Sequence, residues 1–346
     1  GPFLLLDLDI VRAKARRFRS ALPGVRPHFA VKANPHPNVL RVLHEEGVHF
    51  EVASPAELDL LSTLGVQSSN VLYSNPVKAR NHIRYAADRG VEWFVIDNQG
   101  ELEKVFDVKP EAKLYLRVDV TNEGSDWPLA GKFGAHASEA QEVVERAAQL
   151  GADLAGIGFH VGSQCRNSGN WVAGLQQVGV LFPRMSQLGL QPRMINLGGG
   201  FPVRLTKPIP STETIAEAVL PALHPFSGAL VLAEPGRYMV ADAGCFVTRV
   251  MGATKRDGRK WLHIDAGVFG GLFEAFEGIR HPIDTDRSGP LVPWNVAGPT
   301  CDSIEVVLRD IELPDDLQEG DFLYFRNAGA YTTAYASTFN GFPLPE

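Results

Sequence analysis

Lys32 stands inside an otherwise apolar run, HFAVKANPHP at 28–37. An ammonium taken out of water without a partner is costly, so this lysine must be paired, lie at the surface, or be chemically altered. Gly198, Gly199 and Gly200 in NLGGGFP leave backbone bare of side chains, which can approach a phosphate and offer N–H donors. A triple glycine standing alone is more often a tight turn. Glu234 in AEPGR is either a carboxylate aimed at a ligand or the ion-pair partner of Arg237. His160, a single histidine in an apolar run, is in most proteins a satisfied core residue. Cys301 and Asp302 in GPTCDS read either as a reactive pair or as a small buried cysteine beside a capping aspartate.

For these residues to act together, the chain must bring them to one place. Eight short apolar runs recur: HFAVKA (28–33), HFEVA (49–53), VLYS (71–74), WFVID (93–97), LYLRVD (114–119), GIGFHV (156–161), MINLG (194–198) and ALVLAEP (229–235). Between them lie stretches with apolar residues three and four apart, the helical spacing. One is PAELDLLSTLG, with Ser54 as N-cap, Pro55 behind it and Glu57 three residues on. Another, SEAQEVVERAAQLG, is expected to start at Ser138 and stop at Gly151. Eight strands alternating with helices predict an α/β fold of the (β/α)8 TIM-barrel type, since parallel strands need a crossover and helices cover the outer face. An open doubly wound sheet is the competing architecture. Lys32, Glu51, Asn75, Asp97, Arg117, His160, Gly198 and Glu234 all fall at or just beyond the C-terminal end of a run. Barrel enzymes build their sites on that face, and the coincidence favours the barrel.

After Glu234 the rhythm changes to strand-like runs separated by loops: CFVTRVMGATK, KWLHIDAG, SIEVVLRDIEL and DFLYFRNAG. The expected division is a barrel over 8–240 and a C-terminal all-β domain over 241–346 joined by 1–7. DRSGPLVPWNVAGPTCDS, rich in Gly and Pro, is expected to be loop leading into chemistry.

The chain has 346 residues, 45% hydrophobic and 21% charged, with a net charge of -7. That balance argues against a nucleic-acid surface, and no apolar run approaches the ~18 residues of a membrane span. Cys165, Cys245 and Cys301 are far apart and odd in number, which points to neither a zinc cluster nor a disulfide framework and fits a reducing cytoplasm. No metal site is expected. Gly1 and Pro2 in place of Met read as a processed tag scar or a truncation.

Six motifs in order, FAVKAN, FHVGSQ, NLGGGFP, EPGRYMV, GPTCDS and GAYTTAYASTFNGF, together resemble the fold type III pyridoxal-phosphate decarboxylases, specifically the ornithine decarboxylase branch. The resemblance spans essentially the whole chain. It implies an alanine racemase-like barrel, pyridoxal 5'-phosphate as cofactor, a small amino acid as substrate, and a homodimer with active sites shared between subunits. By the same resemblance Lys32 carries the cofactor as a Schiff base, which a desolvated lysine with a lowered pKa can form. Glu234 lies against the pyridine nitrogen and keeps the ring an electron sink, where racemases of this fold place an arginine. His160 stacks on the ring; Gly198, Gly199, Gly200, Ser163, Gly236, Arg237 and Tyr331 surround the phosphate; Arg117, Glu51 and Glu57 orient the Schiff-base end. Cys301 returns a proton to the carbanion carbon in the neighbouring subunit's site, Asp302 binds the distal amine, and Phe339 adds to the substrate pocket. Lys132 and Glu305 match a cross-dimer ion pair.

The chain departs from the family pattern in three places. Asp is more usual where Glu51 stands, and Phe269 replaces a frequent tyrosine. An Asp that helps grip the far amine aligns with Gly278, with Glu274 and Glu277 close by as replacements. The expected reaction is α-decarboxylation of a basic L-amino acid, ornithine first. Alternatives are lysine, arginine, carboxynorspermidine or diaminopimelate as substrate, the last disfavoured because that branch reads Cys-Glu where this chain has Cys301 and Asp302, or a non-catalytic homologue that binds partners.

Overall fold

Eight parallel strands close into a barrel: β1 (Val25–Ala30), β2 (His49–Val52), β3 (Val71–Tyr73), β4 (Trp93–Ile96), β5 (Lys113–Val118), β6 (Leu154–Phe159), β7 (Met194–Asn196) and β8 (Leu230–Ala233). The computed structural model describes residues 1–129 and 131–346. Each strand pairs with its successor, and β8 returns to pair with β1, Val231 opposite Val25 and Ala233 opposite Pro27. The barrel belongs to the first of two units, Arg12–Pro202 with Ile209–Met239; the second comprises Gly1–Val11, Val203–Pro208 and Val240–Glu346.

All eight runs expected to be strands are strands, with displaced ends. β1 begins at Val25 and stops at Ala30, and Val31–Ala33 turn into a 3-10 helix. Lys32 therefore leaves the ladder and stands beyond the strand. A layer of Leu72, Val95, Tyr115, Met194 and Leu232 fills the barrel. Gly158 on β6 makes room for it, since a Cβ there would lie 3.2 Å from the Tyr115 ring and 3.1 Å from the Asn196 Cβ.

Ser54 caps the helix Pro55–Thr63 by accepting the Glu57 N–H, while the Glu57 carboxylate takes the Ala53 N–H at 2.6 Å. The helix expected to start at Ser138 instead spans Ala137–Leu150. Its N-cap is His136, whose N–H is held by Glu139 at 2.9 Å, so the reciprocal carboxylate sits at N3 and Ser138 is already inside. Gly151 ends it in the left-handed conformation, at φ 68°.

On the first two strands His28 pairs with His49, ring centroids 5.0 Å apart. His28 is 3% exposed, and burial with the neighbouring His49 pushes its pKa down to about 3. The unfolded chain takes up a proton near pH 6.5 while the folded chain resists until about 3. This histidine's contribution is thus full above about 6.5 and is lost as pH falls. Acid unfolding should weaken by about 2 kcal/mol by pH 4.5 in His28→Gln relative to wild type. Denaturant midpoints at pH 7 and pH 4.5 check this, and identical acid sensitivity in both proteins would refute it.

The second unit is a mixed sheet. It contains β9 (Gly244–Arg256), β10 (Arg259–Ile264), β11 (Leu291–Ala297), β12 (Val306–Pro314) and β13 (Phe322–Arg326), with Phe3–Leu6 paired to β9 and Ile283–Asp284 to β13. Its core gathers Phe246, Val250, Leu262, Ile264, Trp294, Val296, Leu323 and Phe325. β11 corrects the expectation of a loop there. Pro293 and Asn295 look like breakers, but Trp294 and Val296 are buried, and the Trp294 indole donates to Pro314 O at 3.1 Å. The register shift between Trp294 and Val296 accommodates Asn295 as a bulge. Val203–Pro208, expected within the barrel, groups with this unit, where Asn327 Nδ2 donates to Arg204 O at 2.7 Å.

Candidate active site

At the C-terminal face of the barrel, Lys32 Nζ lies 3.0 Å from Glu51 Oε1. The lysine side chain is half exposed and the glutamate 1% exposed. Burial is the largest influence on Glu51 and raises its pKa to about 7; Lys32 opposes this, while Glu234 and Glu57 add to it. Burial likewise raises Glu57. One ammonium thus faces a group of carboxylates, which suits holding or passing a proton at Nζ.

Glu234 follows β8, next to the strand that delivers Lys32. Its Oε1 accepts from Ser74 Oγ at 2.8 Å and Asn196 Nδ2 at 2.7 Å, with Tyr115 OH at 3.5 Å. Ser74 and Tyr115 hydroxyls are 2.7 Å apart. Arg117, also on β5, has its pKa lowered by burial against the pull of Glu234 and Asp97.

His160 directly follows β6. Its Nδ1 accepts the Gly162 N–H at 3.1 Å, so a ring proton belongs on Nε2. Burial, then Arg117 and Lys32, push its pKa well below the usual range, so the ring is neutral and can lie flat against an aromatic ligand. The glycine turn leaves β7 with Gly198 at φ 66° and Gly200 at φ 94°. A Cβ would meet Phe159 O at 2.0 Å from Gly198, His160 Nε2 at 2.8 Å from Gly199, and Gly162 O at 2.4 Å from Gly200. Only glycine satisfies this packing. Arg237 Nη2 donates to Ser163 Oγ at 3.1 Å, and Gly236 beside it is buried.

This half of the site fits pyridoxal phosphate. A bare-backbone turn and an arginine suit its phosphate, a neutral imidazole suits its ring face, Glu234 its ring nitrogen, and the Lys32 amine its aldehyde.

Lys132 is exposed on the barrel unit, and the remaining expected substrate and interface residues lie in the β unit. Cys301 and Asp302 are exposed; Asn340 Nδ2 reaches the Cys301 sulfur at 3.7 Å, and Asp302 Oδ1 accepts the Ile304 N–H at 3.0 Å. Phe339 packs on Phe269 with centroids 4.4 Å apart. Tyr331 adopts φ 56°, left-handed backbone that non-glycine residues seldom adopt, with its ring 6.0 Å from Tyr335. Glu274 is 3% exposed, buried within the unit, whereas Glu277 is exposed. Of the two carboxylates only Glu277 is presented at the surface of its unit. Glu305 is also buried and accepts the Thr300 hydroxyl.

Sequence reasoning missed Ser74, Tyr115 and Asn196, reading Asn75 as the residue of interest after β3. It also missed Lys78, whose side chain is fully buried, 2.8 Å from Glu101 and donating to the carbonyls of Asn75, Pro76 and Val95. Burial pulls that lysine down to about 8 against Glu101. The available signal was a polar residue in or next to a barrel strand, as in VLYS and MINL.

The family profile described as pyridoxal-dependent decarboxylase, pyridoxal binding domain, matches residues 8–241. Lysine/ornithine decarboxylase of Selenomonas ruminantium is 35% identical over 350 residues, covering 99% of this chain and 88% of its own length. Antizyme inhibitor 2 of Xenopus laevis is 34% identical over 361 residues, covering 98% and 79%. Lysine/ornithine decarboxylase of Vibrio vulnificus, solved with cadaverine and with putrescine, matches at 34% identity with TM-scores of 0.92 and 0.91, covering 100% of this chain and 93% of that one.

Proposed function

This chain belongs to the pyridoxal-dependent decarboxylases of basic amino acids, and on that premise we propose that its substrate is L-ornithine and its products putrescine and CO2. Lys32 and Glu234 stand at opposite ends of the barrel sequence, yet they follow neighbouring strands and both act on the buried Glu51, and this carries the proposal. Pyridoxal phosphate, when bound, supplies a sink for the electron pair left as the Cα–carboxylate bond breaks.

The chain's own residues do the rest. Lys32 would hold the cofactor's aldehyde, and Glu51, 3.0 Å from its Nζ, stands where it can take or return a proton. Glu234 would face the ring nitrogen and favour its protonated form. His160 would support the ring face without competing for charge, and Gly198, Gly199, Gly200, Ser163, Gly236 and Arg237 would hold the phosphate, with Arg117 beside the Lys32 end. In a homodimer, Cys301 of a second copy returns a proton to Cα while Asp302 pairs with the distal ammonium. Support for this is that both are exposed on the β unit. The relatives solved with cadaverine and putrescine support a diamine product.

The thiols are unpaired, which supports a reducing compartment such as the cytoplasm. Among the described residues no helix is long and apolar enough to cross a membrane.

A second reading, a binding protein without catalysis, draws on the relative named antizyme inhibitor 2. Retention of Lys32, Glu234, Cys301 and Asp302 favours the enzyme. CO2 release from ornithine, lysine, arginine and diaminopimelate separates the readings, with the highest kcat/KM expected for ornithine. A faster amino acid would replace the proposed substrate. Loss of all CO2 release would favour the binding protein.

A further inference from the structure

Three side chains from three different strands converge on a single oxygen of Glu234. Ser74 comes from the end of β3, Tyr115 from β5 and Asn196 from β7, and all reach Oε1. A hydroxyl has one proton. Ser74 donates its proton to Glu234, so Tyr115, 2.7 Å away, must donate to Ser74. The orientation of the Asn196 amide is fixed independently, because its Oδ1 accepts the Gly198 N–H at 2.9 Å. Its Nδ2 is therefore the atom 2.7 Å from Glu234. Asn196 thereby ties the glycine turn to the glutamate.

Tyr115 is 2% exposed, and burial with the Glu234 charge keeps its hydroxyl protonated far above neutral pH. Glu51 and Arg117 are the other charged groups that act on this cluster; Lys32 and Glu57 in turn act on Glu51, and Asp97 and Asp119 on Arg117. Donors to one oxygen of this partly buried carboxylate favour its anionic form and fix its rotamer.

We propose that Ser74, Tyr115 and Asn196 are positioning residues that lock Glu234 as an oriented anion, with Oε2 left for the cofactor's ring nitrogen. The inference rests on the assignment of Glu234 to that nitrogen. A proton between a carboxylate and a pyridine goes to the ring only while the carboxylate is the weaker base. Removing the Ser74 donor from Oε1, or the Tyr115 donor that polarises Ser74 behind it, makes the carboxylate the stronger base and draws the proton off the ring.

The test loads wild type, Ser74→Ala, Ser74→Thr, Tyr115→Phe and Glu234→Gln with pyridoxal phosphate isotopically labelled at the ring nitrogen and reads that nitrogen by NMR. A cationic ring is expected in wild type, with the resonance displaced toward the unprotonated position in Ser74→Ala and Tyr115→Phe and restored in Ser74→Thr. In parallel kcat should fall about tenfold in Ser74→Ala with KM for ornithine little changed, the effect of losing one charge-assisted hydrogen bond. If Glu234→Gln displaces the resonance but Ser74→Ala and Tyr115→Phe do not, the clamp is overturned and the role of Glu234 stands. If Glu234→Gln itself leaves the resonance in place, both are overturned.

Discussion

Lys32→Arg is expected to lower decarboxylation by about 10⁴-fold, the upper end of what one proton-transferring group contributes, while leaving the fold nearly as stable as wild type. Arginine keeps a cation beside Glu51, which is 1% exposed, but cannot link to an aldehyde or give up its proton. Lys32→Ala should lose activity equally and also lose stability at alkaline pH, because the buried carboxylate is left without its cation. The sign follows from the raised pKa of Glu51, about 7 against an ordinary 4.5. Its protonated form favours the fold, so that contribution is full below about 4.5 and is lost as pH rises through 7. Without Lys32, which opposes the rise, the loss deepens and moves to higher pH. Single-turnover CO2 release and thermal melts at pH 6 and pH 9 check both statements. Substantial turnover in Lys32→Arg would remove the lysine from the chemistry.

Mixing two inactive proteins should restore activity. In a dimer whose sites take Lys32 from one subunit and Cys301 from the other, a heterodimer of Lys32→Ala and Cys301→Ala has one site with both lesions and one with neither. Random pairing makes half the dimers mixed, so about a quarter of wild-type activity is expected from parents that are each nearly inactive. Co-expression with two affinity tags isolates the mixed species and doubles that yield. If each subunit built its site alone, every site in the mixture would carry one lesion, and nothing would be recovered. That null result would rule out sharing.

The parts legible in the sequence were those with local signatures. All barrel strands but the third are short apolar runs that carry or lead into a charged, imidazole or glycine residue, so Lys32, His160, Gly198 and Glu234 could be placed on one face from periodicity alone. The Ser54 cap was visible for the same reason, since its partner Glu57 is three residues away. Ser74 and Tyr115 were not visible, because a serine after a strand and a tyrosine inside one acquire meaning only against Glu234, 160 and 119 residues on. Lys78 in NPVKAR reads as a surface lysine, yet backbone carbonyls and Glu101 enclose it. β11 was hidden by Pro293 and Asn295, whose local preferences the burial of Trp294 and Val296 overrides.

Closure of β8 onto β1 has a consequence for biosynthesis. Under the proposed roles, Lys32 emerges from the ribosome some two hundred residues before Glu234, which follows the neighbouring strand, so a nascent chain would lack part of the proposed coenzyme site until nearly the whole barrel has been made. On that proposal, fragments that stop short of Glu234 should bind pyridoxal phosphate poorly, remain colourless and gain no stabilisation from it.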